Sequence, residues 1–271
     1  MKQKYIVCDV SLCHDCNDCF MACKDEHVDN EWLPYSKPQP RHGHRWMNIH
    51  RTERGQYPRI DVAYLPTPCQ HCVDAPCIKA NPDCISRRED GIVLIDLEKA
   101  KGKKNLAESC PYGAIQWNEE EGVCQKCTMC AHIFDGDSWE RKEPRCVHSC
   151  PTGALSFYEL ESAEMDKKIK EENLECNKPE LSGGKANVYY KNLYRYEKMF
   201  IAGGILKDGE CAEGVEVTLT GNGQNQSQVT DYFGDFKFDA LTPGEYSIKA
   251  NGQEIKKVNA EASQNLGNIT L

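Results

Sequence analysis

The stretch CHDCNDCFMACKDEH, residues 13–27, decides the reading of this chain: its cysteines stand at 13, 16, 19 and 23, a C-x2-C-x2-C-x3-C run. Working outward, PTPCQHCVDAPC (66–77) carries Cys69, Cys72 and Cys77 at C-x2-C-x4-C, and the cysteine expected after a further three-residue gap is Asn81, followed by Pro82. In CPYGAI (110–115), Cys110 has Ala100, Lys103 and Leu106 where the same run would place its upstream partners. Cys127, Cys130, Cys146 and Cys150 follow, the last opening CPTGAL (150–155). The phrase C-P-x-G-A-[IL] therefore occurs twice, which marks an internal duplication.

A C-x2-C-x2-C-x3-C-P run is the thiolate spacing of bacterial ferredoxins, in which the fourth cysteine ligates the other cluster of a pair. Cross-ligation makes the gaps coherent. Cys13, Cys16 and Cys19 with Cys150 form one set of four, Cys127, Cys130 and Cys146 with Cys23 a second, and Cys69, Cys72 and Cys77 with Cys110 a third. A fourth would need Ala100, Lys103, Leu106 and Asn81, none of which supplies a thiolate. The expectation is three 4Fe–4S clusters and one erased site.

Cys8, Cys84, Cys124, Cys176 and Cys211 are left over. Cys84 lies three residues past Asn81, and Cys124 extends Cys127 and Cys130 into another C-x2-C-x2-C run, so both compete as ligands. The plain reading of all five is a small buried hydrophobe. Zinc in the C-x2-C pairs is a separate alternative, a colourless structural scaffold, but it leaves the trailing x3-C-P cysteines unexplained. His14, His71 and His148 sit beside ligands, as do Lys24 and Lys126. Each reads either as a tuner of cluster potential or as an ordinary loop residue.

With 33 basic against 42 acidic residues the net charge is −9, which argues against a nucleic-acid partner. Seventeen cysteines, an odd number, argue against a closed disulfide framework. MKQKYIVCDVSLC (1–13) lacks a secretory apolar region, and MFIAGGIL (199–206) falls well short of the roughly eighteen apolar residues of a spanning helix. No membrane span and a cytoplasmic location are expected.

The fold class expected is α+β. A duplicated ferredoxin-like cluster domain occupies 1–158, a helical and extended linker 159–199, and a small antiparallel β-sandwich or barrel 200–271. Residues 159–175 are rich in Glu and Lys, with Glu164 four residues before Lys168 and Asp166 four before Lys170, predicting an exposed helix. The aromatic NVYYKNLYRY (187–196) is expected to pack on the cluster domain or on a partner. Beyond it, VEVTL (215–219), FKF (236–238) and YSIKA (246–250) alternate as strands, with turns at 221–223, 232–235 and 243–244. TDYFGDFKFDALTPGEYSI (230–248) resembles the transthyretin-like and carboxypeptidase-regulatory β-domains, and its expected role is docking or stability.

CHDCNDCFMACKDEH, PTPCQHCVDAPC, SRREDGIVLID (86–96), CPYGAIQW, KCTMC and CVHSCPTGAL together resemble the iron–sulfur subunit of the molybdenum and tungsten bis-pterin oxidoreductases, the group that includes dimethyl sulfoxide, polysulfide and nitrate reductases. The resemblance spans residues 4–158. It implies electron transfer to or from a large molybdopterin catalytic subunit, in a heterodimer or higher assembly, with no catalytic residue on this chain. Most of that family keeps four clusters. The erased site and the added β-domain narrow the resemblance to its transhydroxylase branch, which moves a hydroxyl between polyhydroxybenzenes without net oxidation. A respiratory reductase or dehydrogenase subunit serving a carrier or membrane anchor is the alternative.

Overall fold

The computed structural model describes residues 1–137 and 139–271. The chain forms two compact units, one of Met1–His50 and Tyr64–Leu193, the other of Arg51–Ala63 and Tyr194–Leu271. The segment 159–199, expected as a linker, is thus divided between the two. The hairpin of Asn48–Gln56 and Arg59–Thr67 gives its distal residues to the second unit.

In the first unit the strand Gln3–Asp9 is central. It pairs antiparallel with Leu155–Leu160, setting Cys8 opposite Leu155, and parallel with Val188–Lys191, setting Cys8 opposite Tyr190. A strand flanked on both sides and covered on both faces reads as an unbroken apolar run, as Tyr5–Cys8 does. The aromatic segment is therefore part of this sheet. Tyr190 is fully buried, its hydroxyl donating to the Pro66 carbonyl at 3.2 Å and accepting from Gln70 Nε2 at 3.1 Å.

The expected helix runs from Ser162 to Glu172. It is not simply exposed: Met165 and Ile169, four apart on one face, pack with Tyr5, Val7, Leu174 and Tyr189. Glu164 is drawn to the helix start, where its carboxylate accepts the Glu161 N–H at 2.8 Å. The ion pairs along the helix are Lys167 with Glu171 and Lys168 with Glu172, shifted from the expected ones.

The second unit is a β-sandwich. One sheet holds Glu210–Cys211, Met199–Lys207 and Asp235–Leu241, with Gln264–Thr270 also on Met199–Lys207; the other runs Gln224–Val229, Glu216–Gly221, Gly244–Ala250, Gln253–Ala260. Alternate residues of these strands, among them Ile201, Val217, Leu219, Phe236, Phe238 and Ile248, meet in a shared core. The domain was expected to be antiparallel, yet Gln264–Thr270 pairs parallel with Met199–Lys207. The last strand follows Gln253–Ala260 of the opposite sheet, so it is no hairpin partner of its neighbour and free of the antiparallel constraint.

A charge network ties this unit's two chain segments together. Arg54 donates to Asp239 at 2.8 Å and to Asp61, while Lys237 reaches Asp61 at 2.9 Å and Asp239 at 3.1 Å. Burial works to raise Asp61, but hydrogen bonds and charge from Lys237 and Arg54 outweigh it and bring it down to about 2. Asp239 is lowered in the same way, against its own burial. Depressed carboxylates stabilise the fold above their unfolded range near ~4, and this contribution fades as pH falls toward ~2. Arg54→Met leaves two carboxylates short of their partner and should cost about 3 kcal/mol. Acid titration of the variant should show less loss of stability between pH ~4 and ~2 than the parent; an unchanged profile would remove the network from the account. No helix among the described residues is long and apolar enough to cross a membrane.

Candidate metal centre

Three loops of one design carry the cysteines. In each, the residue two positions after the first cysteine of a C-x2-C pair holds a left-handed backbone: Asp15 (φ 58°), His71 (φ 46°) and Met129 (φ 51°). Non-glycine residues enter this region at a cost, and it is met where the chain must turn its N–H groups inward into an anion-binding nest. The Met129 N–H points at Cys127 Sγ, 3.3 Å away. Both C-P-x-G turns bring in a remote fourth cysteine and use a glycine at positive φ, Gly113 (63°) and Gly153 (69°).

Cys19 and Cys23 are one turn apart on the helix Asp18–His27, so they face neighbouring positions. The short helices Pro76–Ala80 and Arg145–His148 carry Cys77 and Cys146. The turn after Cys150 leads into the strand Leu155–Leu160, whose Leu155 lies opposite Cys8, and the Asp9 N–H bonds the Ala154 carbonyl at 2.8 Å, which carries Cys150 toward the first loop.

The electrostatic neighbours of each thiol fall into groups. Burial, then the charge of Cys13, and also that of Cys150 and Cys16, push Cys19 up to about 12; we call Cys13, Cys16, Cys19 and Cys150 set A. Burial and then Cys130, Cys127 and Cys23 push Cys146 far up, making Cys23, Cys127, Cys130 and Cys146 set B. Burial and then Cys69, Cys77 and Cys110 push Cys72 up to about 12, making Cys69, Cys72, Cys77 and Cys110 set C. These neighbour lists are compatible with the three sets that cross-ligation of the sequence motifs expects. Sets A and B are linked through Cys19 and Cys146, and B and C through Cys127 and Cys69.

Burial and then neighbouring cysteine charges disfavour thiolates at Cys19, Cys72 and Cys146, and metal cations among them would relieve that cost. Two further features fit a cluster. The four cysteines of set C line a cavity with Val93, Pro111 and Tyr112. His71 is fully buried and accepts the Val93 N–H on Nδ1 at 3.0 Å, so its proton sits on Nε2, where no partner is found among the described residues. A sulfur acceptor would satisfy that donor. Burial, then the charges of Lys126 and Arg87, keep this imidazole neutral. His14 is an exposed loop residue, and His148 is exposed at the end of the helix Arg145–His148, 3.8 Å from Glu143.

The position where the sequence expects a missing cluster, around Ala100, Lys103 and Leu106, is packed with apolar side chains. Ala100 and Leu106 are wholly buried, packed with Cys72, Cys77, Ile85, Val93, Ile95 and Ile115. Gly102 keeps a positive φ of 73°, two residues after Ala100 as in the ligand loops, but its N–H goes to the Gly122 carbonyl at 2.9 Å. Cys84 and Cys124 belong to this same core, and their thiols donate to the Lys99 and Lys103 carbonyls at 3.3 and 3.5 Å. Cys8 and Cys176 are buried as expected; Cys211 is exposed, because it lies on the two-residue edge strand Glu210–Cys211. Arg87, in the quoted SRREDGIVLID, had no role assigned from sequence. Its guanidinium donates to the His71 and Cys72 carbonyls at 2.8 and 3.0 Å, bracing the set C loop. Only its place in that stretch hinted at a role.

A duplicated ferredoxin-like cluster domain followed by a β-sandwich defines an iron–sulfur electron-transfer subunit, a non-catalytic component of an oxidoreductase complex. The profile of the 4Fe–4S dicluster domain matches residues 60–160, and that of the second β-sandwich domain of BOS complex subunit NOMO1-like proteins matches 199–270. The pyrogallol hydroxytransferase small subunit of Pelobacter acidigallici is 55% identical over 92% of this chain and 90% of its own length. A sulfite dehydrogenase subunit of Allochromatium vinosum is 29% identical over 88% and 98%, and an iron–sulfur subunit of a dimethyl sulfoxide reductase in Halobacterium salinarum is 33% identical over 58% and 66%. The chain thus belongs to the family of iron–sulfur subunits of the molybdenum oxidoreductases and transhydroxylases that includes the pyrogallol hydroxytransferase small subunit.

Proposed function

We propose that sets A, B and C hold three 4Fe–4S clusters, and that the chain serves a large molybdopterin subunit, with molybdenum or tungsten, that converts pyrogallol to phloroglucinol by hydroxyl transfer. The observation that carries the cluster count is the contrast between three groups of four neighbouring thiols and a fourth position packed with Ala100 and Leu106. The identity to the hydroxytransferase small subunit supports the reaction. A heterodimer or higher assembly in the cytoplasm is part of the same reading.

When bound, a cluster supplies a one-electron store whose potential follows charge, hydrogen bonds to sulfur and exposure. The chain's part is to fix twelve thiolates, aim loop N–H groups at them, and keep the sites largely dry. In this reading the erased position lies beyond C, next to Cys77, whose carbonyl accepts the Asn81 N–H at 3.1 Å. The sequence allowed for a broken or a bent route; the arrangement supports a relay shortened at its end. Hydroxyl transfer between two polyhydroxybenzenes needs no external electron, so the clusters set the oxidation state of the partner's metal rather than passing an electron in every turnover.

Iron and acid-labile sulfide on the anaerobically purified complex test this. After subtraction of any large-subunit cluster, about twelve irons per chain are expected, at about four per cluster, with cluster absorbance steady through turnover. About sixteen irons would overturn the three-cluster reading. Clusters cycling in step with turnover would favour an electron-conducting subunit, as the 98% coverage of the sulfite dehydrogenase relative also would.

A further inference from the structure

Lys126 is 3% exposed. Its ammonium donates to the carbonyl of Val93, which lines the set C cavity, and to that of Cys127, in the set B loop, at 3.0 Å. Both acceptors are neutral, so the positive charge is hydrogen-bonded but not neutralised by a carboxylate among these partners. A buried ammonium is costly unless negative charge lies close by. The negative charge within reach is that of the two thiolate sets, and Lys126 acts on members of both: Cys77 and Cys110 of C, Cys127 of B. For Cys13 of set A, after burial and an N–H bond from Asp15, the neighbouring charges are Cys150, Cys16 and Asp15, all negative.

We propose that Lys126 is a shared counter-charge for the clusters of sets B and C, raising both reduction potentials relative to set A, so that an electron entering the chain comes to rest on that pair. The proposal rests on the three-cluster reading. A fixed positive charge favours the more negative, reduced cluster, and in a dry interior it is poorly screened. One ammonium between two clusters stabilises an electron on either, so it lowers the barrier set by unequal potentials while holding the electron at the end of the chain next to the erased site. Arg87 adds positive charge beside Cys72, and Lys24 beside Cys23.

The test is a reductive titration of the holo complex followed by electron paramagnetic resonance, comparing the parent with Lys126→Met and Lys126→Arg. The set C signal is identified by its loss in Cys69→Ser/Cys110→Ser, and the set B signal by its response to Lys24→Met. In Lys126→Met the B and C midpoints should fall, each by at least a tenfold change in equilibrium constant, about 59 mV for one electron, with set A unmoved; Lys126→Arg should hold the parent values. Iron content of each variant separates loss of a cluster from a change in its potential. If Lys126→Met loses iron, Lys126→Gln, which keeps a donor for the two carbonyls without the charge, gives the same reading. Unmoved B and C midpoints, all three moving together, or Lys126→Arg behaving like Lys126→Met would overturn the proposal. A parent protein without three separable midpoints and about twelve irons would instead overturn the three-cluster reading itself.

Discussion

Replacing Cys69 and Cys110 together by serine is expected to remove about four of the chain's irons, leaving about eight, with the signals of the other two clusters intact. The reason is the grouping of set C: the charged neighbours of Cys72 are Cys69, Cys77 and Cys110, and the four share one cavity, although Cys69 also neighbours Cys127 of set B. Two ligands from distant loops are lost at once, one from the C-x2-C pair and one from the C-P-x-G turn. Sets A and B are held by other elements, the helix Asp18–His27 and the loops around Cys127 and Cys150. Iron and sulfide analysis with the reduced spectrum reads the outcome. Retention of all the iron would mean that Cys84 or Cys124 stands in as a ligand. Loss of more than one cluster's iron would mean that the sets are not separate.

Leu106→Ala should destabilise the first unit by about 3 kcal/mol, in the range for large-to-small changes at packed core sites. Leu106 is wholly buried at the erased position, against Ala100, Cys84, Cys124 and Ile115. The cavity it would leave cannot collapse easily, because the surrounding loop is held by the Gly102 to Gly122 and Leu106 to Lys103 backbone bonds. Denaturant unfolding of the anaerobic protein, followed through cluster absorbance, measures the loss. A change under about 0.5 kcal/mol, typical of surface sites, would mean that this position is not the filled core described above.

The proposed ligand sets can be read from the sequence because cluster binding imposes a local code. Thiolates must be cysteine, and the loop that presents three of them has a fixed length, so Cys13, Cys16 and Cys19 announce themselves by spacing alone. The erased site was legible for the same reason: Ala100, Lys103, Leu106 and Asn81 stand where the code requires cysteine. The strands of the second unit were visible by alternation, Val217 and Leu219 inward with Glu216 and Thr218 between. The packing of the aromatic run from Asn187 was visible, and Val188–Lys191 joins the first unit's sheet, but the docking of the helix within 159–175 was not. Its Glu and Lys residues suggested an exposed element, while Met165, Ile169 and Tyr189, which dock it, are too few to dominate the pattern.

The order of residues by itself determined the ferredoxin-like spacing of the cysteines, the absence of cysteine at Ala100, Lys103, Leu106 and Asn81, and the alternating strands of the β-sandwich, since these depend on spacing and alternation within a few residues. Only the tertiary structure decided which charges act on the sites. In the sequence Lys126 and His71 read either as tuners of cluster potential or as ordinary loop residues and Arg87 had no role; contacts with Val93 and the Cys72 loop make them a buried hydrogen-bonded side chain, an imidazole whose Nε2 has no partner among the described residues, and a loop brace. Burial and electrostatic neighbours arise from contacts between segments far apart in the chain, and a charge gains its strength from the water that those contacts exclude.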